Sequence, residues 1–87
     1  MQAKKEENGK MGARIQKARL AAGLTQQQLA DRVRVSARTI ISIEREQYSP
    51  SLLLAYRLAR EFRTSVEELC CLEENLQKEE ARYETLE

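Results

Sequence analysis

Apolar residues recur along this chain at intervals of three and four residues, which is the spacing of helices that each bury one face. No stretch alternates apolar and polar residues over the length of a strand, and aromatic residues make up only 5% of the chain. We therefore expect a compact all-α protein with five short helices and no internal repeat. A C-terminal acidic segment, either helical or frayed, would follow them.

Glycine and small polar residues mark the ends of the first helices. Gly23 is the kind of residue that closes a helix in the left-handed conformation, so the first helix is predicted over about residues 11–22. Thr25 and Gln28 have the spacing of a capping box at the start of the second helix. Ser36 is the predicted N-cap of the third helix.

The third helix is predicted to run over residues 37–45, and Pro50 suits the first turn of a fourth helix that ends near Phe62. Ser65 and Glu68 form a second capping-box pattern before the fifth helix. The residues that helical spacing places in the core are Ile15, Ala18, Ala22, Leu29, Ala30, Val33, Ile40, Ile43, Leu52, Ala55, Tyr56, Leu58, Ala59, Phe62, Val66, Leu69 and Leu72.

Residues 73–87 form the acidic C-terminal segment, which is rich in helix-forming residues. A heptad-like series of alternating three- and four-residue steps leads into it, at Leu69, Leu72, Leu76, Glu79, Tyr83 and Leu86. Glu79 interrupts the series, and barely two and a half heptads are fewer than a stable coiled coil needs. Pairing with a second copy and a frayed or disordered tail both remain open.

Charge is distributed unevenly, although the formal net charge is only +1. Residues 11–65 carry ten Lys or Arg against four acids, whereas residues 66–87 carry two against eight Glu. A basic body with an acidic end is typical of a nucleic-acid binder whose other end faces a different partner, although a solvated tail has the same composition. Residues 1–10 are expected to be a flexible tail.

Several classes of protein are disfavoured by what the sequence lacks. There is no His, Cys70 and Cys71 are adjacent, and no glycine-rich phosphate loop is present, so we expect no metal site, no cofactor, no small-molecule ligand and no enzymatic activity. The two cysteines fit best as small apolar residues near a helix end, with a redox or metal role as the alternative. No apolar run approaches the roughly 18 residues of a membrane span and no signal peptide is evident, so a cytoplasmic protein is expected.

Two capped helices joined by a short turn predict a helix-turn-helix. In that motif the second helix enters the major groove of DNA with its N-terminal residues at the base edges. The residues after the Ser36 cap meet this requirement, because Ala37, Arg38 and Thr39 are small or polar and Ser42 lies one turn further along. The start of the second helix offers free backbone N–H groups to a phosphate, and Gln26 and Gln27 add neutral donors there.

The segments GLTQQQLA and VSARTIISIE, within residues 13–72, resemble the lambda-repressor-like, Cro-type (XRE) helix-turn-helix family of transcriptional regulators. The resemblance implies that residues 11–72 form a lambda-repressor-like DNA-binding domain. It further implies a small regulator of the repressor or controller type that binds double-stranded DNA as a homodimer, with the recognition helix 37–45 in the major groove. A phage-type repressor, a restriction-modification controller and an antitoxin are not separable from this sequence.

The resemblance also implies roles for single residues. Gln26 matches a phosphate-clamping position, and the base-contacting positions are Ala37, Arg38 and Ser42. Positions near the sugar-phosphate backbone are Ser36, Thr39, Gln47 and Tyr48. Arg19 and Glu44 match a partly buried salt bridge, which an Arg on an apolar helix face also requires. Arg38 is the favoured base reader, since a bidentate contact from Arg to guanine is the commonest specific contact.

Five positions depart from the family, and one of them is Arg45, which stands where asparagine is common. Arg34, Glu46 and Arg63 stand where glycine is common, and a left-handed backbone there would cost roughly 1 kcal/mol relative to glycine. At Arg34 a contact with phosphate could offset that cost. Glu46 would repel DNA from the loop that faces phosphate, unless Arg45 neutralises it; Arg45 could instead reach a phosphate itself. Ile41 replaces a usually polar residue, so an exposed side chain is expected there, available to DNA, to a partner or to neither. These features keep open a second hypothesis, a protein-interaction module of the same fold with weak or no DNA binding.

Overall fold

The structure, a computed structural model, describes residues 10–86, and their side chains as far as Arg82. The predicted N-terminal tail lies outside the described residues apart from Lys10. All regular structure within the described range is helical, as predicted. The helices are α1 (Met11–Ala21), α2 (Gln26–Val33), α3 (Ala37–Glu44), α4 (Leu52–Glu61), α5 (Val66–Leu69) and α6 (Leu72–Leu86). The described residues thus contain six helices, one more than the five short helices predicted, because residues 72–86 are helical.

The start of α2 has the predicted capping box. Thr25 Oγ1 accepts a hydrogen bond from the backbone N–H of Gln28 at 3.0 Å, and Gln28 Oε1 accepts one from the Thr25 N–H at 2.8 Å. Ser36 Oγ caps α3 by accepting from the Thr39 N–H at 3.3 Å. These bonds satisfy N–H groups that have no partner within the helix, so the two helices of the motif begin where the sequence predicted.

The starts of α4 and α5 differ from the prediction in detail. Pro50 lies outside α4, whose N-cap is Ser51. Ser65 caps α5 by accepting from the Glu68 N–H at 3.1 Å. The predicted return bond from Glu68 is replaced by a bond to the hydroxyl of Thr64, which donates to Glu68 Oε1 at 2.9 Å. The second capping pattern is therefore a simple N-cap.

One hydrophobic core joins the first five helices. Its buried members are Ile15, Leu29, Ala30, Val33, Ile40, Ile43, Leu54, Leu58, Ala59 and Leu69. The core prediction was wrong at Ala22, Leu52, Tyr56 and Leu72, which are exposed. In α4 the error has a geometric cause, because Leu52 and Tyr56 lie on the side of the helix away from Leu54. Ala55 and Ala59 fit either face, so spacing alone could not decide which of the two faces of α4 is buried.

Left-handed backbone occurs at Gly23 and at the three positions where the family favours glycine. The φ angles of Arg34, Glu46 and Arg63 are 66°, 61° and 55°. Arg34 closes α2, so the turn of the motif has the backbone that glycine usually adopts, with arginine in its place. Cys71 is also left-handed, with φ 54°, at the junction of α5 and α6, and no sequence signal predicted this.

The C-terminal helix α6 packs mainly on α5. Leu72 and Leu76 are 45% and 48% exposed, so the described part of its heptad-like series is not covered by the rest of the chain. None of the described helices combines the length and the apolar character that crossing a membrane requires.

Candidate nucleic-acid interface

The recognition helix presents one exposed arginine from its first turn. Arg38 is exposed, whereas Ala37, Thr39 and Ser42 are half-buried beside it. The Ser36 and Thr39 hydroxyls lie 3.2 Å apart and are hydrogen-bonded to each other. A flexible cation therefore projects beyond a surface of small residues, which is the shape that a side chain reaching a base edge requires.

A buried ion pair fixes the far end of the recognition helix. Arg19 on α1 is 7% exposed, and its Nε donates to Glu44 Oε2 at 2.7 Å. A second guanidinium nitrogen donates to Glu44 Oε1 at 3.2 Å, and a third donates to the carbonyl of Leu24 at 2.9 Å. Such a fork-like pair is strong, and breaking it would leave one buried charge without its partner.

The same carboxylate holds the phosphate-clamping candidate. Gln26 Nε2 donates to Glu44 Oε1 at 3.1 Å, so the first residue of α2 is tied to the last residue of α3. A side-chain amide has two N–H donors, and this bond uses one of them. Glu44 thus links α1, α2 and α3, and it sets the distance between the start of α2 and the recognition helix.

Other predicted contact residues are spread around this pair of helices. Gln27 is exposed and donates to Asp31 Oδ1 at 2.9 Å, one turn along α2. The residues of the loop after α3 that were expected near phosphate are exposed, namely Arg45, Gln47 and Tyr48. Ile41, which was suspected to be exposed, is half-buried.

Glu46 makes a structural contact that the sequence did not suggest. Its Oε2 accepts a hydrogen bond from the backbone N–H of Gly12 at 2.6 Å, in the first turn of α1. Lys10, the N-cap residue of α1, makes no side-chain capping bond, so the carboxylate of Glu46 supplies the cap from 34 residues away. An acidic group at this end of a helix also interacts favourably with the helix dipole.

Gly12 makes this contact sterically possible. A Cβ at this position would lie 2.6 Å from the carbonyl oxygen of Ile43 and 2.7 Å from that of Glu44. The start of α1 therefore lies directly against the last carbonyls of the recognition helix. Neither the close approach at Gly12 nor the capping role of Glu46 was predictable from the sequence, since no local pattern relates residues so far apart.

The cysteines lie outside this interface. Burial raises the pKa of both thiols; the neighbouring Cys71 raises that of Cys70 further, and Arg14 partly offsets the effect on Cys71. The Sγ of Cys70 lies 3.4 Å from the sulfur of Met11. Across the described residues, no three His, Cys, Asp or Glu side chains converge in a way that could hold a metal ion.

Comparison with known proteins gives a consistent result. The sequence pattern of the helix-turn-helix family matches residues 15–69. An uncharacterised HTH-type transcriptional regulator of Methanothermobacter thermautotrophicus is 47% identical over 62 residues, which cover 70% of this chain and 90% of that protein. A similar regulator of Archaeoglobus fulgidus is 44% identical over 59 residues, covering 68% and 84%.

Two solved structures resemble this chain. The restriction-modification controller protein C.AhdI from Aeromonas hydrophila superposes with a TM-score of 0.65 at 30% identity, covering 74% of this chain and 97% of that one. The clp gene regulator ClgR from Corynebacterium glutamicum gives 0.67 at 24% identity, covering 92% and 85%. At this lower identity, the resemblance to ClgR supports the fold alone.

Proposed function

Because the chain belongs to the XRE-type helix-turn-helix family of DNA-binding transcriptional regulators, we propose that α3 reads a specific site in the major groove of double-stranded DNA. The observation that carries this proposal is the exposed Arg38 on the first turn of α3, beside a helix α2 whose first residue is held by Glu44. The spacing between the start of α2 and the end of α3 is thereby set before DNA binds.

The phosphate contact is formed at the start of α2. The cap of Thr25 uses the N–H of Gln28, so the backbone N–H groups of Gln26 and Gln27 remain directed outward at the positive end of the helix. The remaining amide hydrogen of Gln26 adds a side-chain donor. Arg45, together with Gln47 and Tyr48, supplies a second set of contacts from the loop after α3.

Base recognition falls to the first turns of α3. Arg38 donates in a bidentate manner to a guanine, and Ala37 contacts a thymine methyl group. Ser42 reaches a further base one turn along, while Ser36 and Thr39 face the sugar-phosphate backbone. Residues 11–72 act as the DNA-binding unit of a small repressor or controller in the cytoplasm.

The protein acts as a homodimer on a two-fold symmetric site, with half-sites about one helical turn apart. Exposed apolar side chains support this proposal. Leu52, Leu53 and Tyr56 on α4 are 78%, 60% and 53% exposed, and Leu72 and Leu76 on α6 are nearly half exposed. A small domain that displays so many large apolar groups on neighbouring helices has a surface suited to a second copy.

Selection of bound sequences from a random DNA pool tests the proposal. The native chain should enrich a two-fold symmetric sequence, and Arg38→Ala should lose preference at one base pair of each half-site, at a cost of about 1–3 kcal/mol. Arg63→Ala is the matched control, because it removes an exposed arginine from the end of α4; it should leave the selected sequence unchanged.

Two results would contradict the assignment. If Arg38→Ala weakened binding equally to the selected site and to random DNA, Arg38 would be a phosphate contact and not a base reader. If the native chain enriched no sequence, and its affinity for duplex DNA did not fall with salt, the protein-interaction module would be the better description.

A further inference from the structure

A group of arginines lies at the C-terminal end of α2, where this helix meets α4. Four arginines and one acid line an open concave pocket with a volume of about 420 Å³. We refer to these residues as the arginine cluster: Arg32, Arg34, Arg57, Arg60 and Glu61. The residues come from the last turn of α2, its left-handed cap and two turns of α4. None belongs to the proposed DNA contacts.

Most of the charge in the arginine cluster is uncompensated. Arg32 donates to Glu61 Oε2 at 2.8 Å, which neutralises one arginine. Arg34 and Arg57 make no ion pair with any described residue, and Arg60 lies over the ring of Tyr56 at 5.9 Å from its centroid. Three positive charges thus share one concave surface, which favours a partner with several carboxylates or phosphates.

The chain itself carries the complementary charge on α6. Glu73, Gln77 and Glu80 follow the i, i+4, i+7 spacing of a single helix face, and we call them the acidic stripe. All three are exposed, and neither glutamate forms an ion pair with a described residue. Seven residues of helix place the two carboxylates about 10 Å apart along the axis.

We propose that the acidic stripe of one copy binds the arginine cluster of another copy. The stripe belongs to a helix that packs mainly on α5, whereas the cluster belongs to α2 and α4. The interface joins two different surfaces of the same chain. Two such contacts can form reciprocally between two copies, or single contacts can link one dimer to the next.

Two observations favour a protein partner over DNA for the arginine cluster. The eight residues of α2 span about 12 Å and separate the proposed phosphate contact at Gln26 from the cluster at the opposite end. In addition, the chain itself supplies exposed side chains of opposite charge at Glu73 and Glu80. Carboxylates pair with arginine in the same bidentate geometry as phosphates, so these glutamates can occupy the cluster.

Sedimentation velocity on the full chain without DNA tests this interface. Self-association should contain a salt-sensitive step that is present at about 50 mM salt and lost at about 500 mM, where exposed charges are screened. The double variants Arg57→Glu/Arg60→Glu and Glu73→Arg/Glu80→Arg should each weaken that step about tenfold or more. Arg63→Glu, which reverses an exposed charge outside the cluster, is the control and should leave it unchanged.

Mixing provides the decisive measurement, because it does not depend on either variant associating alone. An equimolar mixture of the two double variants should recover a salt-sensitive complex, since the reversed charges complement each other. A native chain without a salt-sensitive step, or a mixture that fails to associate, would overturn the proposal. So would an Arg57→Glu/Arg60→Glu protein that associates normally but binds duplex DNA more weakly, since the cluster would then contact phosphate. DNA binding by the native chain is measured separately, so this interface can fail without affecting the proposed function.

Discussion

Replacing Glu46 with glycine changes two opposing contributions to the free energy of unfolding. The left-handed backbone, with φ 61°, costs a side-chain-bearing residue about 1 kcal/mol relative to glycine, so that removing the side chain is favourable. The carboxylate, however, caps α1 through the Gly12 N–H. A hydrogen bond to a charged group contributes about 1.5–3 kcal/mol, and the exposure of Glu46 places it at the lower end of that range. We expect Glu46→Gly to destabilise the protein by roughly 0.5–1 kcal/mol.

Arg63→Gly is the matched control for this experiment. Arg63 is also left-handed, with φ 55°, but it is exposed and makes no ion pair with a described residue. Its replacement should therefore stabilise by about 1 kcal/mol, which raises the melting temperature by about 4–8 °C in a domain of this size. Glu46→Gln, which keeps the left-handed cost and a neutral acceptor, should be mildly destabilising.

Thermal unfolding followed by circular dichroism, at one fixed protein concentration, gives the comparison. The free energies of unfolding of the two glycine variants should differ by about 1.5–2 kcal/mol, the contribution of the capping bond. If Glu46→Gly stabilised as much as Arg63→Gly, the bond to Gly12 would contribute nothing, and the reasoning would be refuted.

The remaining predictions concern the contacts around the recognition helix and the cysteines. Gly12→Ala should destabilise the protein by about 1–3 kcal/mol, because the new methyl group would meet two backbone carbonyls. At Gly23 nothing lies within 4 Å, so Gly23→Ala should lower the free energy of unfolding by only about 1 kcal/mol, the cost of its φ of 73°. Equal losses for the two variants would count against the close approach at Gly12. Arg19→Leu should destabilise the protein by about 3–5 kcal/mol, because it leaves the carboxylate of Glu44 without its partner. In urea denaturation the double variant Arg19→Leu/Glu44→Leu should lose less stability than the two single variants added together. Additive losses would mean that the two side chains act independently. Burial raises the pKa of the Cys70 thiol, so its alkylation by iodoacetamide near pH 7.5 should be slower in the native protein than in urea. Mass spectrometry measures the two rates, and identical rates would contradict the protection by burial.

The helix starts were predictable from the sequence because each cap is a bond between near neighbours. Thr25, Ser36 and Ser65 each accept from the N–H three residues later. Gly23 likewise adopts the left-handed conformation expected at a helix end. Such signals need no knowledge of the rest of the chain.

The buried face of α4 was only partly predictable. Apolar residues occupy both faces of this helix, and the two faces share Ala55 and Ala59. The choice between Leu54 and Leu52 depends on which side meets α2 and α5, and that is a property of the packed structure. Leu52 remained exposed for that reason, although its own spacing suited the core equally well.

The role of Glu46 shows why single residues can mislead when they are considered locally. Its position in a loop beside the recognition helix suggested repulsion of DNA. The tertiary structure places the N-terminus of α1 against that loop, and the carboxylate caps the helix instead. This contact gives Glu46 a structural role that its place in the loop did not suggest.

The sequence by itself determined the helical class, the positions of the helix starts and the capped pair of helices with Arg38 on the second. These follow from hydrogen bonds and spacings within about four residues, which any chain with the same local order would share. The tertiary structure alone decided the buried face of α4, the contact of Gly12 with Glu46 and the meeting of α2 and α4 arginines in one cluster. Those features join residues of different helices, such as Gly12 and Glu46, which are 34 positions apart. Only the packing of the helices on a common core brings them together.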